Sequence, residues 1–91
     1  MKIEVSGQVL DFIRRCPPEL RQYLREGLRK LAHEKGDIKP LRDELEGYYR
    51  LRIRDYRIIF RYLDSSRGRI IFCPFVEGRD VVYEAFLALL D

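Results

Sequence analysis

Polar and apolar residues alternate through the stretch Gly47 to Tyr62, GYYRLRIRDYRIIFRY. Arg50, Arg52 and Arg54 interleave with Tyr49, Leu51 and Ile53. After Asp55, Arg57, Ile59 and Arg61 share one parity, and Tyr56, Ile58, Phe60 and Tyr62 hold the other. A period of two is that of a half-buried strand, and two such runs around a tight polar break predict a β-hairpin. One face is then aromatic and apolar, and the other carries arginines. Before it, Met1–Val5 alternates as a short strand with Ile3 and Val5 inward. Ser6 is a good N-cap for a helix over 7–15, which Cys16-Pro17-Pro18 must end, because a residue before proline is driven out of the α region. Leu20, Tyr23, Leu24, Gly27, Leu28 and Leu31 then recur at helical spacing, predicting a second helix over 18–35 stopped by Gly36 in the left-handed conformation. Residues 37–46 read as a connection with Leu41 and Leu45 tucked inward.

Beyond the hairpin, Asp64–Gly68 is a turn by composition. Arg69–Phe75 is a third strand of the meander, nearly continuous in apolar residues and therefore buried on both faces, with Pro74 marking its end or a bulge. A loop over 77–80, with Asp80 as N-cap, leads into a C-terminal helix carrying Val82, Ala85, Phe86, Leu89 and Leu90 inward. The order β–α–α–β–β–β–α is that of an α+β domain: a helical hairpin packed on a small antiparallel sheet, one domain over residues 1–91.

Charge sharpens this picture at one place. The chain of 91 residues carries a net charge of only +3, but residues 50–69 hold seven arginines against two aspartates, and the remainder has eleven basic and thirteen acidic residues. Five guanidiniums on one sheet face repel one another unless an anion visits, so the hairpin is the electrostatic footprint of a phosphate-rich partner or of an acidic protein. No apolar run approaches the roughly 20 residues that span a bilayer, and the start has no signal-peptide hydrophobic region, which predicts a cytoplasmic protein away from membranes. Cys16 and Cys73 lie far apart at no metal-ligand spacing and read as buried thiols. His33 is the lone histidine, placed to complement a helix C-terminus; neither a structural zinc site nor a histidine-based triad can be assembled, and no cofactor or metal is expected.

The segments LEGYYRLRIRDYRIIFRY and GRDVVYEAF, with the order of elements, resemble the RelE/ParE superfamily of toxins from type II toxin–antitoxin pairs over essentially the whole chain. The resemblance implies a RelE-like fold and, for the mRNA-cleaving members, an mRNA interferase: an endoribonuclease that cuts message on the ribosome without metal, the ribose 2′-oxygen attacking the adjacent phosphate. Translation is thereby inhibited until a cognate antitoxin protein binds. Carried over position by position, it assigns catalytic roles to Arg50 and Arg52, to Arg57, to Arg79 and to Tyr83. The second-strand pair is often lysine in the family and is arginine here. Arg54, Arg61 and Lys39 are candidate RNA contacts, and Lys39 is also the nearest lysine available as a base. Arginine suits the phosphate, since its planar fork donates paired hydrogen bonds, but with a pKa above about 12 it is a poor base. Tyr83 among arginines is the alternative proton carrier. Two other readings remain: a ParE-like toxin that inhibits DNA gyrase and cuts nothing, and a catalytically degenerate module that only binds the antitoxin.

Overall fold

A computed structural model describes all of residues 1–91. It has the helical hairpin on one face of a five-stranded sheet and a third helix on the other. β1 (Lys2–Val5), α1 (Gly7–Arg15) and α2 (Pro18–Leu31) are followed by β2 (Asp37–Pro40), a single 3₁₀ turn (Asp43–Leu45), β3 (Tyr49–Ile53), β4 (Tyr56–Ser65), β5 (Gly68–Gly78) and α3 (Val82–Leu90). The sheet order is β1-β5-β4-β3-β2. β1 runs parallel to β5 at one edge, and the other three pairings are antiparallel.

The alternation of the hairpin sets both cores. Leu51, Ile58, Phe60, Ile71, Cys73 and Val76 face α1 and α2, where Val9, Ile13, Leu24 and Leu31 meet them. Ile59 and Phe75 point the other way and are covered by Val82 and Phe86 of α3, with Leu45 beneath the rim. Gly27 is where α2 comes closest to the sheet: a Cβ there would collide with the Ile53 side chain. Between the pairs Ile59↔Phe75 and Arg61↔Phe72, β5 has two residues, Cys73 and Pro74, opposite the single Phe60 of β4. Pro74 therefore marks a bulge, where its missing N–H removes nothing from the ladder.

Several boundaries differ from those the sequence predicts. Asp37–Pro40 is an edge strand rather than a connection. α2 ends at Leu31, and Glu34, not Gly36, closes it in the left-handed region with φ 56°. The Lys35 N–H donates to the Lys30 carbonyl and the Glu34 N–H to that of Leu31, the paired bonds of a Schellman stop. Tyr62 Oη donates to Glu34 Oε1 at 2.8 Å and holds the glutamate in place. α3 starts without a side-chain cap, behind Val81; Asp80 stays exposed. Val82 and Phe86 of α3 are buried, whereas Leu89 and Leu90 face outward.

β1 is only four residues long, so the lower half of β5 would be left as a bare edge. The start of α1 closes it. Ser6 Oγ donates to the Pro74 carbonyl at 2.7 Å. The Gln8 amide takes both backbone groups of Val76, donating to its carbonyl at 2.7 Å and accepting from its N–H at 2.9 Å.

Candidate functional site

Register places the arginines. Arg50 pairs with Ile59 and Arg52 with Arg57 across β3 and β4, so all four share the face that α3 partly covers. β2 widens this face: Lys39 stands across from Arg50 and Asp37 across from Arg52. Lys39, which the sequence alone could not place, thus joins the arginines on one surface. Glu77 of β5 is the register partner of Arg57. The sequence puts Glu77 in a loop; the longer β5 makes it the cross-strand partner of Arg57, its Oε1 accepting from the Gly78 N–H.

The guanidiniums are differently committed. Arg50 is well enclosed, with its side chain 11% exposed, and its Nη1 donates to the Asp37 carbonyl at 2.7 Å and to Asp37 Oδ1 at 3.0 Å. The hydrogen bond from Arg50, aided by the charges of Arg50, Arg52 and Lys39, holds the Asp37 carboxyl below its ordinary pKa. Arg52 is more than half exposed and only 3.9 Å from Asp37 Oδ2, a loose second ion pair. Arg57 curls toward the hairpin turn, its Nη1 donating to the carbonyls of Arg54 at 3.0 Å and Tyr56 at 2.9 Å.

Arg79 arrives at the same turn from the end of β5. Its N–H donates to the Asp55 carbonyl at 2.8 Å, and its guanidinium lies 3.6 Å from Asp55 and 3.8 Å from Asp80. Arg57 and Arg79 therefore converge on residues 54–56 from two strands. An open cavity of about 320 Å³, lined by Asp55, Tyr56, Gly78, Arg79, Asp80 and Val81, adjoins Arg79.

Three residues stand apart from this group. Arg54 sits in the turn itself, at φ 52°, and lays its guanidinium over the Tyr23 ring of α2 at 3.7 Å, on the helix side of the sheet. Arg61 is separated from Arg57 along β4 by Ile59, which is buried under α3; it leans instead on Tyr48, at 3.4 Å from the hydroxyl. The arginine face is thus divided rather than continuous. Tyr83, on the first turn of α3, is half-buried against the core of Leu45, Ile59, Phe75 and Phe86. No three His, Cys, Asp or Glu side chains converge in a metal-binding group. Cys16 and Cys73 are free and buried, and burial pushes the Cys73 thiol up to about 12. No helix is long and apolar enough to cross a membrane.

This arrangement can hold an extended anion. Arg52, loosely held by Asp37, and Lys39 offer cations on adjoining strands, and Arg57 and Arg79 offer two guanidiniums at one turn, Arg79 beside a cavity. The carboxylate nearest to Arg79 is that of Asp55, at 3.6 Å, which also lines the cavity; Glu77 stands across from Arg57 in the ladder.

No protein-family model matches the chain, and no curated protein does. Solved structures do. The chain is similar to the RelBE2 toxin–antitoxin complex from Mycobacterium tuberculosis with a TM-score of 0.64 at 20% identity, over 86% of this chain and 96% of that one. The YoeB/ParE toxin from Agrobacterium tumefaciens gives 0.62 at 20% identity, over 86% and 98%. The archaeal RelE–RelB complex from Pyrococcus horikoshii gives 0.62 at 23% identity, over 86% and 93%. At these identities the shared property is the fold.

Proposed function

We propose that this chain, which has the fold of RelE-type toxins, is the toxin of a type II toxin–antitoxin pair and acts as a ribosome-dependent mRNA endonuclease. The observation that carries the reading is the convergence of Arg57 and Arg79 on one hairpin turn, next to a sheet face that also presents Arg52 and Lys39. Cleavage by the 2′-oxygen needs a proton removed, charge on the five-coordinate phosphorus stabilised, and the leaving 5′-oxygen protonated. Two guanidiniums approaching from separate strands meet the second need, and removal of one such donor typically costs about 10²–10³ in rate. Arg52 and Lys39 hold the neighbouring backbone phosphates. Arg50 acts through Asp37, keeping β2 and β3 in register beneath them. Tyr83 carries a proton or stacks on a base, its ring fixed by α3. A cognate antitoxin is the protein partner, and the cytoplasm is where message and ribosome are found.

A translation reaction with primer extension on the message tests this. The expected result is cuts at codon-periodic positions, reduced about 10²–10³-fold by Arg57→Ala and by Arg79→Ala with unchanged far-ultraviolet circular dichroism. Intact message together with blocked DNA supercoiling would replace the reading with the gyrase one. One observation favours a second reading, that of an antitoxin-binding module without nuclease activity: Arg50 and Arg57 each already commit their Nη1 to acceptors within the chain. In that case neither message nor supercoiling is affected, and only the antitoxin binds.

A further inference from the structure

We propose that the outer face of the helical hairpin is a second RNA-binding surface, one that takes the phosphate backbone of a folded RNA on the side of the molecule away from the sheet's arginines. The choice of RNA as the polyanion rests on the nuclease reading above; the surface itself rests on separate residues.

Residues 7–31 contain six basic residues, Arg14, Arg15, Arg21, Arg25, Arg29 and Lys30, against Asp11, Glu19 and Glu26. Outside this segment and the hairpin region 50–69, the chain has five basic and ten acidic residues. Cationic charge is therefore gathered in two places, not one, and α1 and α2 cover the face of the sheet opposite to Arg50, Arg52 and Arg57.

On α2, Arg21, Arg25 and Arg29 follow at four-residue intervals. With Pro18 and Gln22 they line an open concavity of about 310 Å³ that contains no hydrophobic residue. Four residues of α-helix rise about 6 Å, a step comparable with that between successive phosphates of a strand. Glu19 and Glu26 fall on the other flank of the helix, beside Tyr23. Arg29 reaches Glu26 at 2.6 Å, while Arg14, Arg15 and Arg25 make no ion pair. Arg21 fixes the row in place: its Nη2 donates to the carbonyls of Arg14 at 3.3 Å and Cys16 at 3.0 Å, tying α2 to the end of α1.

The lining distinguishes RNA from a protein partner. Protein interfaces draw their affinity from a few buried aromatic and apolar anchors, and this concavity offers none. Guanidiniums alone suffice for phosphate, which they meet with paired, charge-assisted bonds. With cations on both faces, the molecule is suited to sit between two RNA segments.

The test uses the full chain and a short RNA duplex with 2′-O-methyl riboses, which cannot be cut by this chemistry. Wild type is expected to bind two duplexes in sedimentation at low salt, and Arg25→Gln/Arg29→Gln only one. In an Arg52→Gln background, where the sheet face is weakened, the same pair lowers the slope of log K against log salt by about one unit per arginine. Both residues are exposed, and an unchanged melting curve confirms folding. Wild-type stoichiometry and slope in the helix variant overturn the proposal, as does a variant that keeps duplex binding and loses affinity for an acidic antitoxin. Fallen stoichiometry with no cutting of any message supports this surface and removes the nuclease reading alone.

Discussion

Asp37 decides what Arg50 is able to do. Its carbonyl and carboxylate together take one guanidinium that the sheet would otherwise present to an anion. Asp37→Asn keeps that carbonyl but removes the carboxylate's charge, and is therefore expected to leave Arg50 an uncompensated cation. In salt titrations of RNA binding the slope should steepen by about one unit, whereas Arg50→Gln should leave it near wild type. Acid has a related effect. The Asp37 pKa is depressed in the folded chain, so this ion pair contributes stability above the carboxyl's ordinary range and loses it as pH falls through the depressed value. Tyr62 behaves in the opposite sense. Burial, and then the bond to Glu34, push its hydroxyl up to about 12. The protonated phenol is thus favoured by folding, a contribution fully present below its ordinary value near 10 and lost as pH rises toward 12. Urea midpoints of wild type should fall over that alkaline interval, and those of Tyr62→Phe should fall less.

Among the elements, α2 shows the competition between propensity and packing. Gly27 costs the helix about 1 kcal/mol relative to alanine, but an alanine Cβ would meet the Ile53 side chain. Gly27→Ala should destabilise by about 1 kcal/mol in denaturant unfolding, overpacking outweighing propensity. In an Ile53→Val background, which lacks the colliding methyl, the same substitution should be neutral or stabilising. The elements also show how far pattern alone reaches. The β3–β4 hairpin was legible because its period of two runs through both strands, and the two cores follow from its parity. β2 was not, because Asp37-Ile38-Lys39-Pro40 offers one apolar residue and a proline; it is a strand only because β3 has a free edge beside it. The stop of α2 was misplaced for a tertiary reason. Tyr62, distant in sequence, bonds Glu34 and makes a non-glycine residue acceptable in the left-handed region. At the site, the basic residues were visible as a group. What was hidden is how they are divided: Arg57 and Arg79 on one turn, Arg50 held by Asp37, Arg54 turned to Tyr23, and Arg61 beyond Ile59.

For the whole molecule, the two cores are unequal. The larger joins α1 and α2 to buried residues of β3, β4 and β5; the smaller has only Leu45, Ile59, Phe75, Val82 and Phe86 as its buried members. Phe86→Ala removes a ring that stacks on Phe75 and meets Tyr48 edge-on. Truncations of this kind cost about 3–5 kcal/mol when the whole structure shares the loss. Here α3 can detach while the larger core stands. Hydrogen exchange should show α3 amides losing protection in Phe86→Ala while those of β4 and β5 keep most of theirs. The same detachment would free Tyr83 from the face that Arg57 shares, so the message cutting proposed above should fall in this variant without loss of the sheet.

Gln8 stands where a neighbouring strand would stand, and its amide is chemically perishable. Conversion of that amide to a carboxylate, by slow deamidation or as Gln8→Glu, replaces the donor aimed at the Val76 carbonyl with a second acceptor. The Val76 carbonyl is then left unpaired at the edge of β5, and unpaired strand edges recruit other chains. Stored protein should accordingly lose solubility as this one side chain ages, and light scattering of Gln8→Glu, set against wild type, would show it from the first day.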